Sequence, residues 1–158
     1  DRATVFAEGP HCTAIELQLN VLDDNPAVTG ICETHDLAAV NRGPLAMGLL
    51  TNKYTAGTHA SIDDVRGSKS PEWMKYFRDG RPNPDWLTRR DAVREILCSD
   101  GRTVAQVAIA WLWARSPKTI PIPGFRSIGQ VEENSGAMEL GPLSAEQVAH
   151  IDALLDRS

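Results

Sequence analysis

An apolar segment that turns sharply into a helix start has the composition of an anion site. Pro123 and Gly124 allow a tight turn beside a ligand, and Ser127 and Gln130 have the spacing of a helix capping box. A helix that begins there directs unpaired N–H groups and the positive end of its dipole toward the turn. Arg126 adds a forked guanidinium that suits phosphate oxygens. On these residues alone, an ordinary strand-to-helix connection with one solvated arginine is the alternative interpretation.

A second set of small and polar residues lies earlier in the chain. Gly43 and Gly48 follow a predicted strand over residues 37–41 and can bring backbone amides close to a ligand. Gln18 and Asn20 belong to the polar row of another predicted strand, toward its carboxyl end. Because parallel barrels carry their active sites at the carboxyl ends of the strands, we expect these residues to lie near a site.

Strands and helices alternate along the chain and must position these residues. Apolar and polar residues alternate over 12–22, which predicts a strand with one apolar face. Asn25 and Pro26 are typical of a helix cap and first turn, and the predicted helix ends near His35. Strand, helix and strand joined by short links predict a parallel crossover unit. The remaining predictions are a strand over 120–122 and helices over 84–99, over 104–114, from Ser127 onward and over 144–155.

The predicted helix over residues 104–114 is apolar nearly all round and follows a capping box at Thr103 and Gln106. We therefore expect it to be deeply buried, with Trp111 and Trp113 in packing rather than in ligand contact. The last helix repeats the capping box and aligns apolar residues on a face that seals a core: Ser144 and Gln147 form the box, and Val148, Ile151, Leu154 and Leu155 form the face.

A long irregular stretch over residues 51–84 is rich in Gly, Ser, Asp and Pro. Loops of this length in compact domains are usually functional, so the stretch is interpreted as a flap or an ordered excursion, and Trp73, Tyr76 and Phe77 indicate docking. A tolerated surface insertion is the equally weighted alternative.

Composition limits the class of protein. The 158 residues are 42% apolar and 23% charged, with a net charge of -5, which is typical of a globular protein rather than a disordered or membrane-spanning one. The negative net charge argues against a nucleic-acid-binding surface. The one arginine cluster, Arg89, Arg90 and Arg94, lies among acidic residues and is predicted to form a solvated helix face. Without a long apolar run or a signal peptide, a cytoplasmic location and no membrane partner are predicted.

The three cysteines are odd in number and widely separated, which favours a reducing compartment without disulfides. Cys32 and His35 have a metal-like spacing, but no second pair is in register. A structural cysteine and a surface histidine are therefore predicted, with no metal site.

The order of several segments resembles that of the aldo/keto reductase family. They are QLNVL at 18–22, NRGPLAMGLLTNKY at 41–54, TVAQVAIAWL at 103–112, IPIPGFRSIGQVEEN at 120–134 and LSAEQVAHID at 143–152. The resemblance implies a (β/α)8 TIM barrel and an NADP-dependent oxidoreductase, which reduces a small-molecule aldehyde or ketone with NADPH.

The resemblance is confined to the C-terminal half of that family. Residues 1–158 look like a partial α/β barrel, with strands similar to the family's sixth, seventh and eighth and their helices. Because such a barrel needs roughly 250 residues, the fragment is expected to need an N-terminal half-barrel or self-association.

The family's catalytic Asp, Tyr, Lys and His lie in the half that the resemblance does not cover, so no catalytic residue is assigned and the chain alone is predicted to be inactive. Tyr54 and Tyr76 are predicted to lack the Lys and Asp neighbours that would lower a tyrosine pKa. A non-catalytic half-barrel remnant or interaction module that self-associates is the alternative.

Residue by residue, the resemblance implies a cofactor-binding set on both turns. Arg126 would pair with the ribose 2′-phosphate and favour NADPH over NADH. Glu16 stands where the family has a Gln that contacts the nicotinamide carboxamide, and a carboxylate only accepts hydrogen bonds. Gly43 replaces a Ser and Asn52 replaces a Gly, so a weakened cofactor site is expected. The implied set is Glu16, Arg42, Gly43, Pro44, Leu45 and Gly48, with Gly124, Phe125, Arg126, Gln130, Glu133 and Asn134.

Overall fold

A computed structural model describes residues 2–98 and 101–157 as an α/β fold with a parallel sheet. The strands are β1 (Ala14–Gln18), β2 (Ala38–Arg42), β3 (Phe77–Arg78), β4 (Arg81–Pro82) and β5 (Thr119–Pro121). The helices are α1 (Arg2–Ala7), α2 (Pro26–Thr34), α3 (Pro84–Leu97), α4 (Val104–Arg115), α5 (Ile128–Leu140) and α6 (Ala145–Leu154).

The main sheet has the strand order β1-β2-β5, and both pairings are parallel. Leu17 of β1 is in register with Asn41 of β2, which is in register with Pro121 of β5. The crossover helix α2 joins β1 to β2, as predicted, and the Asn25 side chain accepts a hydrogen bond from the Val28 amide at its start. The parallel strands and the crossover helix predicted from the sequence are confirmed by this arrangement.

Strand β1 is shorter than the predicted strand over 12–22. After Gln18 the chain turns, because the backbones of Asn20 and Asp23 bond to each other in both directions, at 2.9 and 3.2 Å. The alternation that predicts a strand therefore continues into a tight turn. Leu19, Val21 and Leu22 remain buried in the core.

One face of the sheet packs against helices. Helix α4 lies in the centre of the core, with most of its length buried, as its apolar sequence predicts. Trp111 is fully buried, and Trp113 is partly buried. In α6, Ile151 and the following Leu155 are buried, but Leu154 is 39% exposed. The prediction for Leu154 was wrong because the helix turns this side chain away from the core-facing stripe.

The opposite face of the sheet is open to solvent in the described part of the chain. Glu16 and Arg42 are exposed there, and Val40 between them is only partly buried. Ile120 of β5 and Ile122 just after it are each 49% exposed. Strands β1 and β5 each pair with β2 only, so both edges of this sheet are unpaired within the described residues.

The segment over residues 51–83 crosses the surface but contributes several buried side chains to the core. The Tyr54 and Phe77 rings meet edge to face at 4.9 Å, and Tyr76 meets Trp86 of α3 at 5.1 Å. Met74, Tyr76 and Phe77 are buried, whereas Trp73 is exposed. The aromatic residues near the end of this segment therefore dock into the core as an ordered excursion, with Trp73 as the exception.

Helix α3 begins at an Asn83 cap. Its predicted end at Ser99 lies outside the described residues. Arg90 was predicted on a solvated face but is only 4% exposed. Its guanidinium donates to the Tyr54 carbonyl at 2.6 Å and to the Asp91 carboxylate, so hydrogen bonds compensate for its burial.

The three cysteines carry free thiols, and Cys32 is fully buried as predicted. Across residues 2–98 and 101–157, the structure contains no helix with both the length and the apolar composition needed to cross a bilayer.

Candidate functional site

A cleft of about 590 Å³ lies between the turn that follows β2 and the turn that precedes α5. We call residues 43–54 the glycine wall and residues 124–134 the helix wall. The structure brings together ten of the twelve predicted cofactor residues along these walls: Gly43, Pro44, Leu45, Gly48, Gly124, Phe125, Arg126, Gln130, Glu133 and Asn134.

Backbone geometry fixes the shape of the glycine wall. Gly43 and Gly48 have φ angles of 66° and 90°, which glycine adopts without steric cost. The Gly43 carbonyl accepts hydrogen bonds from the Ala46 amide at 3.0 Å and from Asn20 Nδ2 at 3.1 Å. Ala46 and Leu49 are fully buried. This wall is therefore part of the folded core.

Arg66 reaches the glycine wall from the long segment. Its Nη1 donates to the Met47 carbonyl at 2.9 Å, and Nε and Nη2 pair with both oxygens of Asp64 at 2.7 and 2.8 Å. Its guanidinium lies 5.3 Å from the Tyr54 ring centroid. A charge held by this many contacts is pre-oriented on the cleft lining.

The Arg66 hydrogen bonds hold the pKa of Asp64 low, at about 2, and the charge of Arg126 adds to this effect. Arg126, on the helix wall, therefore helps Arg66 to lower the pKa of the Asp64 carboxylate. Lys53, Arg66 and Arg126 outnumber Glu133 among the charged lining residues. Because Asp64 neutralises Arg66, the lining keeps an excess of one positive charge, from Lys53 and Arg126 against Glu133, which favours an anionic ligand.

The helix wall is only partly as predicted. The Ser127 hydroxyl accepts from the Gln130 amide at 3.3 Å, but Gln130 Oε1 accepts from the Arg126 amide at 2.7 Å instead of from Ser127. The full capping box was therefore a wrong prediction, because the glutamine reaches one residue further back. Both boxes at Thr103 and Ser144 are complete.

The Arg126 side chain is exposed, and its guanidinium forms no hydrogen bond or ion pair within the residues that the structure describes. Gly124 has open space at the position of a Cβ. Phe125 is 63% exposed beside the cleft. These features leave the donors and the aromatic surface of this wall accessible to a ligand.

Glu16 and Arg42 do not line the cleft. They lie on the open face of the sheet, where Arg42 Nε is 3.7 Å from Glu16 Oε1 and Arg42 Nη1 donates to Gln18 Oε1 at 3.1 Å. Arg42 directly precedes Gly43, so this pair adjoins the glycine wall.

Sequence reasoning missed several lining residues. Arg66 and Val65 lie in an irregular segment whose pattern does not indicate where it returns to the core. Lys53 and Tyr54 belong to the segment that carries the family resemblance, which could have indicated them. Asn52 was noted as a departure from the family, and the missed residues are Met47, Thr51, Lys53, Tyr54, Val65, Arg66, Val104, Ala105 and Ile122.

Tyr76 does have the acidic and basic neighbours that were predicted to be absent. Its hydroxyl donates to Asp23 Oδ2 at 3.2 Å, and Lys75 forms an ion pair with the same carboxylate. Burial nevertheless raises the Tyr76 pKa above its ordinary value, so the hydroxyl stays protonated. A side chain only 3% exposed is not placed to contact a substrate.

Comparisons with known proteins agree with this architecture. The sequence matches the Aldo/keto reductase family over residues 6–156. It is 31% identical over 134 residues to a chloroplastic pyridoxal reductase of Arabidopsis thaliana, which covers 82% of this chain and 32% of that protein. It is also 28% identical over 111 residues to a Schizosaccharomyces pombe aldo-keto reductase whose name includes NADP(+). That alignment covers 69% of this chain and 30% of the relative.

A solved structure of a glycerol dehydrogenase from Gluconobacter oxydans superposes with a TM-score of 0.72 at 27% identity, over 90% of this chain and 42% of that one. The chain spans about a third of the length of the curated relatives that it matches. The family match covers nearly all of the sequence, and the parallel sheet agrees with part of the barrel. The chain therefore belongs to the aldo/keto reductase family.

Proposed function

We propose that this chain forms the NADPH-binding half of an aldo/keto reductase, and that the cleft between the glycine and helix walls holds the dinucleotide. One observation carries the proposal. Residues from two turns that lie 81 positions apart in the sequence, Gly43 to Leu45 and Gly124 to Arg126, meet along one cleft whose lining has a small excess of positive charge.

The lining fits a dinucleotide phosphate. Glycines with positive φ on one wall allow the backbone to approach a pyrophosphate closely, and the start of α5 supplies unpaired amides on the other. Arg126 would pair with the ribose 2′-phosphate, whereas Arg66, whose charge Asp64 neutralises, would keep the glycine wall in shape through its bond to Met47. The Schizosaccharomyces pombe relative, which has NADP(+) in its name, supports the choice of cofactor.

When bound, the reduced nicotinamide supplies a hydride to a carbonyl carbon. The residues of this chain bind and orient it. Tyr54 and Tyr76 are both buried, so we propose that the proton donor to the carbonyl oxygen comes from outside this chain. We also propose a small aldehyde or ketone as the substrate of the complete enzyme.

The Glu16 and Gly43 departures are expected to weaken the nicotinamide end of the site. Glu16 lies beside Arg42 instead of offering both a donor and an acceptor to a carboxamide. The adenosine end keeps its residues, so most of the affinity should come from the helix wall.

The open sheet favours a second role in assembly. One face of α5 exposes three apolar side chains, those of Ile128, Val131 and Met138. Two more apolar side chains, Ile120 and Ile122, are half exposed near the free edge of β5. Unpaired parallel edges and exposed apolar side chains favour association. We propose that an N-terminal half-barrel or a second copy of the chain covers them. A self-associating remnant without catalysis would use the same surface.

Titration of the purified full chain with NADPH and NADH, followed by cofactor fluorescence, tests the proposal. We expect saturable binding that prefers NADPH. Arg126→Ala should weaken NADPH binding about tenfold or more, because it removes a charged hydrogen-bond donor, and should leave NADH binding nearly unchanged. Arg81→Ala, a change at an exposed arginine on β4, is the matched control. A folded chain that binds neither dinucleotide would contradict the cofactor role.

A further inference from the structure

The Tyr76 hydroxyl joins several polar side chains at the carboxyl end of β1. It accepts hydrogen bonds from Asn20 Nδ2 at 2.9 Å and from Gln18 Nε2 at 3.0 Å. It donates to Asp23, which also pairs with Lys75. One hydroxyl of the long segment is thereby bonded to three side chains, from the last residue of β1 and from the turn that follows it.

Two of these partners lead directly to the glycine wall. Asn20 Nδ2 also donates to the Gly43 carbonyl, and Gln18 Oε1 accepts from Arg42, the residue before Gly43. Asn20 is fully buried, and its Oδ1 accepts from the Leu22 amide, so its amide has a single orientation. The Tyr76 hydroxyl therefore stabilises the side chain that fixes the Gly43 carbonyl.

The orientation of this carbonyl matters for an anionic ligand. Gly43 has a positive φ, and its peptide group begins the wall that lines the cleft. A carbonyl that turned into the cleft would present its negative end to a phosphate, whereas two hydrogen bonds now hold it in place. Loss of either bond would let the turn adopt other conformations.

We infer that Tyr76 is a positioning residue for the glycine wall: through Asn20, its hydroxyl sets the conformation of Gly43 and so the affinity for the part of a dinucleotide that reaches this wall. Tyr76 does not line the cleft. The inference rests on the proposed function and deepens it, because it names a residue outside the site that controls one of its two ends.

Binding of two ligands by the full chain tests this coupling. NADP+ would contact both walls, whereas adenosine 2′,5′-bisphosphate carries the groups proposed for the helix wall and lacks the nicotinamide half of the dinucleotide. We expect Tyr76→Phe to weaken NADP+ roughly fivefold, the equivalent of one hydrogen bond, and to change the affinity for the bisphosphate less than about twofold. Trp86→Phe changes the ring that packs against Tyr76 but keeps the hydroxyl, and it should leave both affinities unchanged.

Equal weakening of both ligands by Tyr76→Phe, or no effect on either, would overturn the positioning role while leaving the proposed function intact. A wild-type chain that binds neither ligand would overturn both.

Hydrogen exchange of the wild-type chain supplies a test that needs no variant. If the coupling holds, NADP+ should slow amide exchange over residues 74–78, which do not line the cleft, and the bisphosphate should not. Binding of NADP+ without any change over 74–78 would contradict the inference.

Discussion

The two walls of the cleft are built in opposite ways. The glycine wall contains fully buried Ala46 and Leu49, and its Gly43 carbonyl has two hydrogen-bond donors. The helix wall exposes Phe125 and Ile128, at 63% and 78%. One wall thus acquires its shape as the core folds, whereas the other adds charge and backbone donors that folding does not require.

This difference predicts that substitutions in the two walls separate into distinct classes. Changes in the glycine wall should affect both the free energy of unfolding and ligand binding. Changes in the helix wall should affect binding and association with little effect on stability. Pairs of matched substitutions can test this separation.

The largest expected effect is on Gly48. A Cβ there would lie 3.1 Å from the Tyr54 ring and 3.3 Å from Arg66 Nη1, at a φ of +90° that side chains disfavour. We expect Gly48→Ala to lower the free energy of unfolding by about 2 to 3 kcal/mol, measured by urea denaturation.

Gly124→Ala is the matched change on the helix wall, because a Cβ there meets no atom within 4 Å. It should change the free energy of unfolding by less than about 0.5 kcal/mol. Equal losses in the two alanine variants would break the distinction between the walls.

A smaller effect is expected from the Asp64 carboxylate, whose bonds to Arg66 lower its pKa from 3.8 to about 2. Because the folded-state pKa is depressed, its contribution to stability is complete above pH 3.8 and is lost as the pH falls through about 2. Asp64→Asn should cost about 1 kcal/mol at neutral pH and flatten the stability profile between those two values.

The neighbouring Asp63 is exposed, and Asp63→Asn serves as the control for the loss of one negative charge. Stability profiles from acid titration should coincide for this variant and the wild type. A profile that keeps its acidic slope in Asp64→Asn would show that another carboxylate is responsible.

The smallest effect on stability is expected at Ile128. Its side chain is 78% exposed, so Ile128→Ser should change the free energy of unfolding by less than about 0.5 kcal/mol. The same change should reduce self-association in sedimentation, because it removes apolar surface from the proposed contact face. A fall of more than about 1 kcal/mol in the free energy of unfolding, with unchanged self-association, would contradict this prediction. It would mean that Ile128 packs in the core and not on an open contact face.

Local sequence patterns predicted the elements whose determinants are local. The Asn25 cap, the Thr103 and Ser144 boxes and the apolar α4 all depend on residues within a few positions of each other. The end of β1 was mispredicted because the turn between Asn20 and Asp23 keeps the alternation of a strand. Leu154 was misplaced because the helical face alone does not determine where the core ends.

In the candidate site, too, the residues in local motifs were predicted and the residues placed by long-range contacts were not. Motifs that resemble the family indicated ten residues that line the cleft. Arg66 could not be found in this way, since its contact with Met47 joins an irregular segment to a turn 19 residues earlier. The bond between Tyr76 and Asp23 spans 53 residues and depends on the packing of the whole excursion. Such contacts arise from tertiary structure, which local patterns do not encode.

Hydrogen exchange with and without NADPH tests the central claim most directly, because it locates the cofactor on the chain. We predict slower exchange over both residues 43–54 and residues 124–134, with the larger change in the helix wall, since the glycine wall is already protected by the core. Binding that protects neither wall, or protects residues 43–54 alone, would contradict a cofactor held between them.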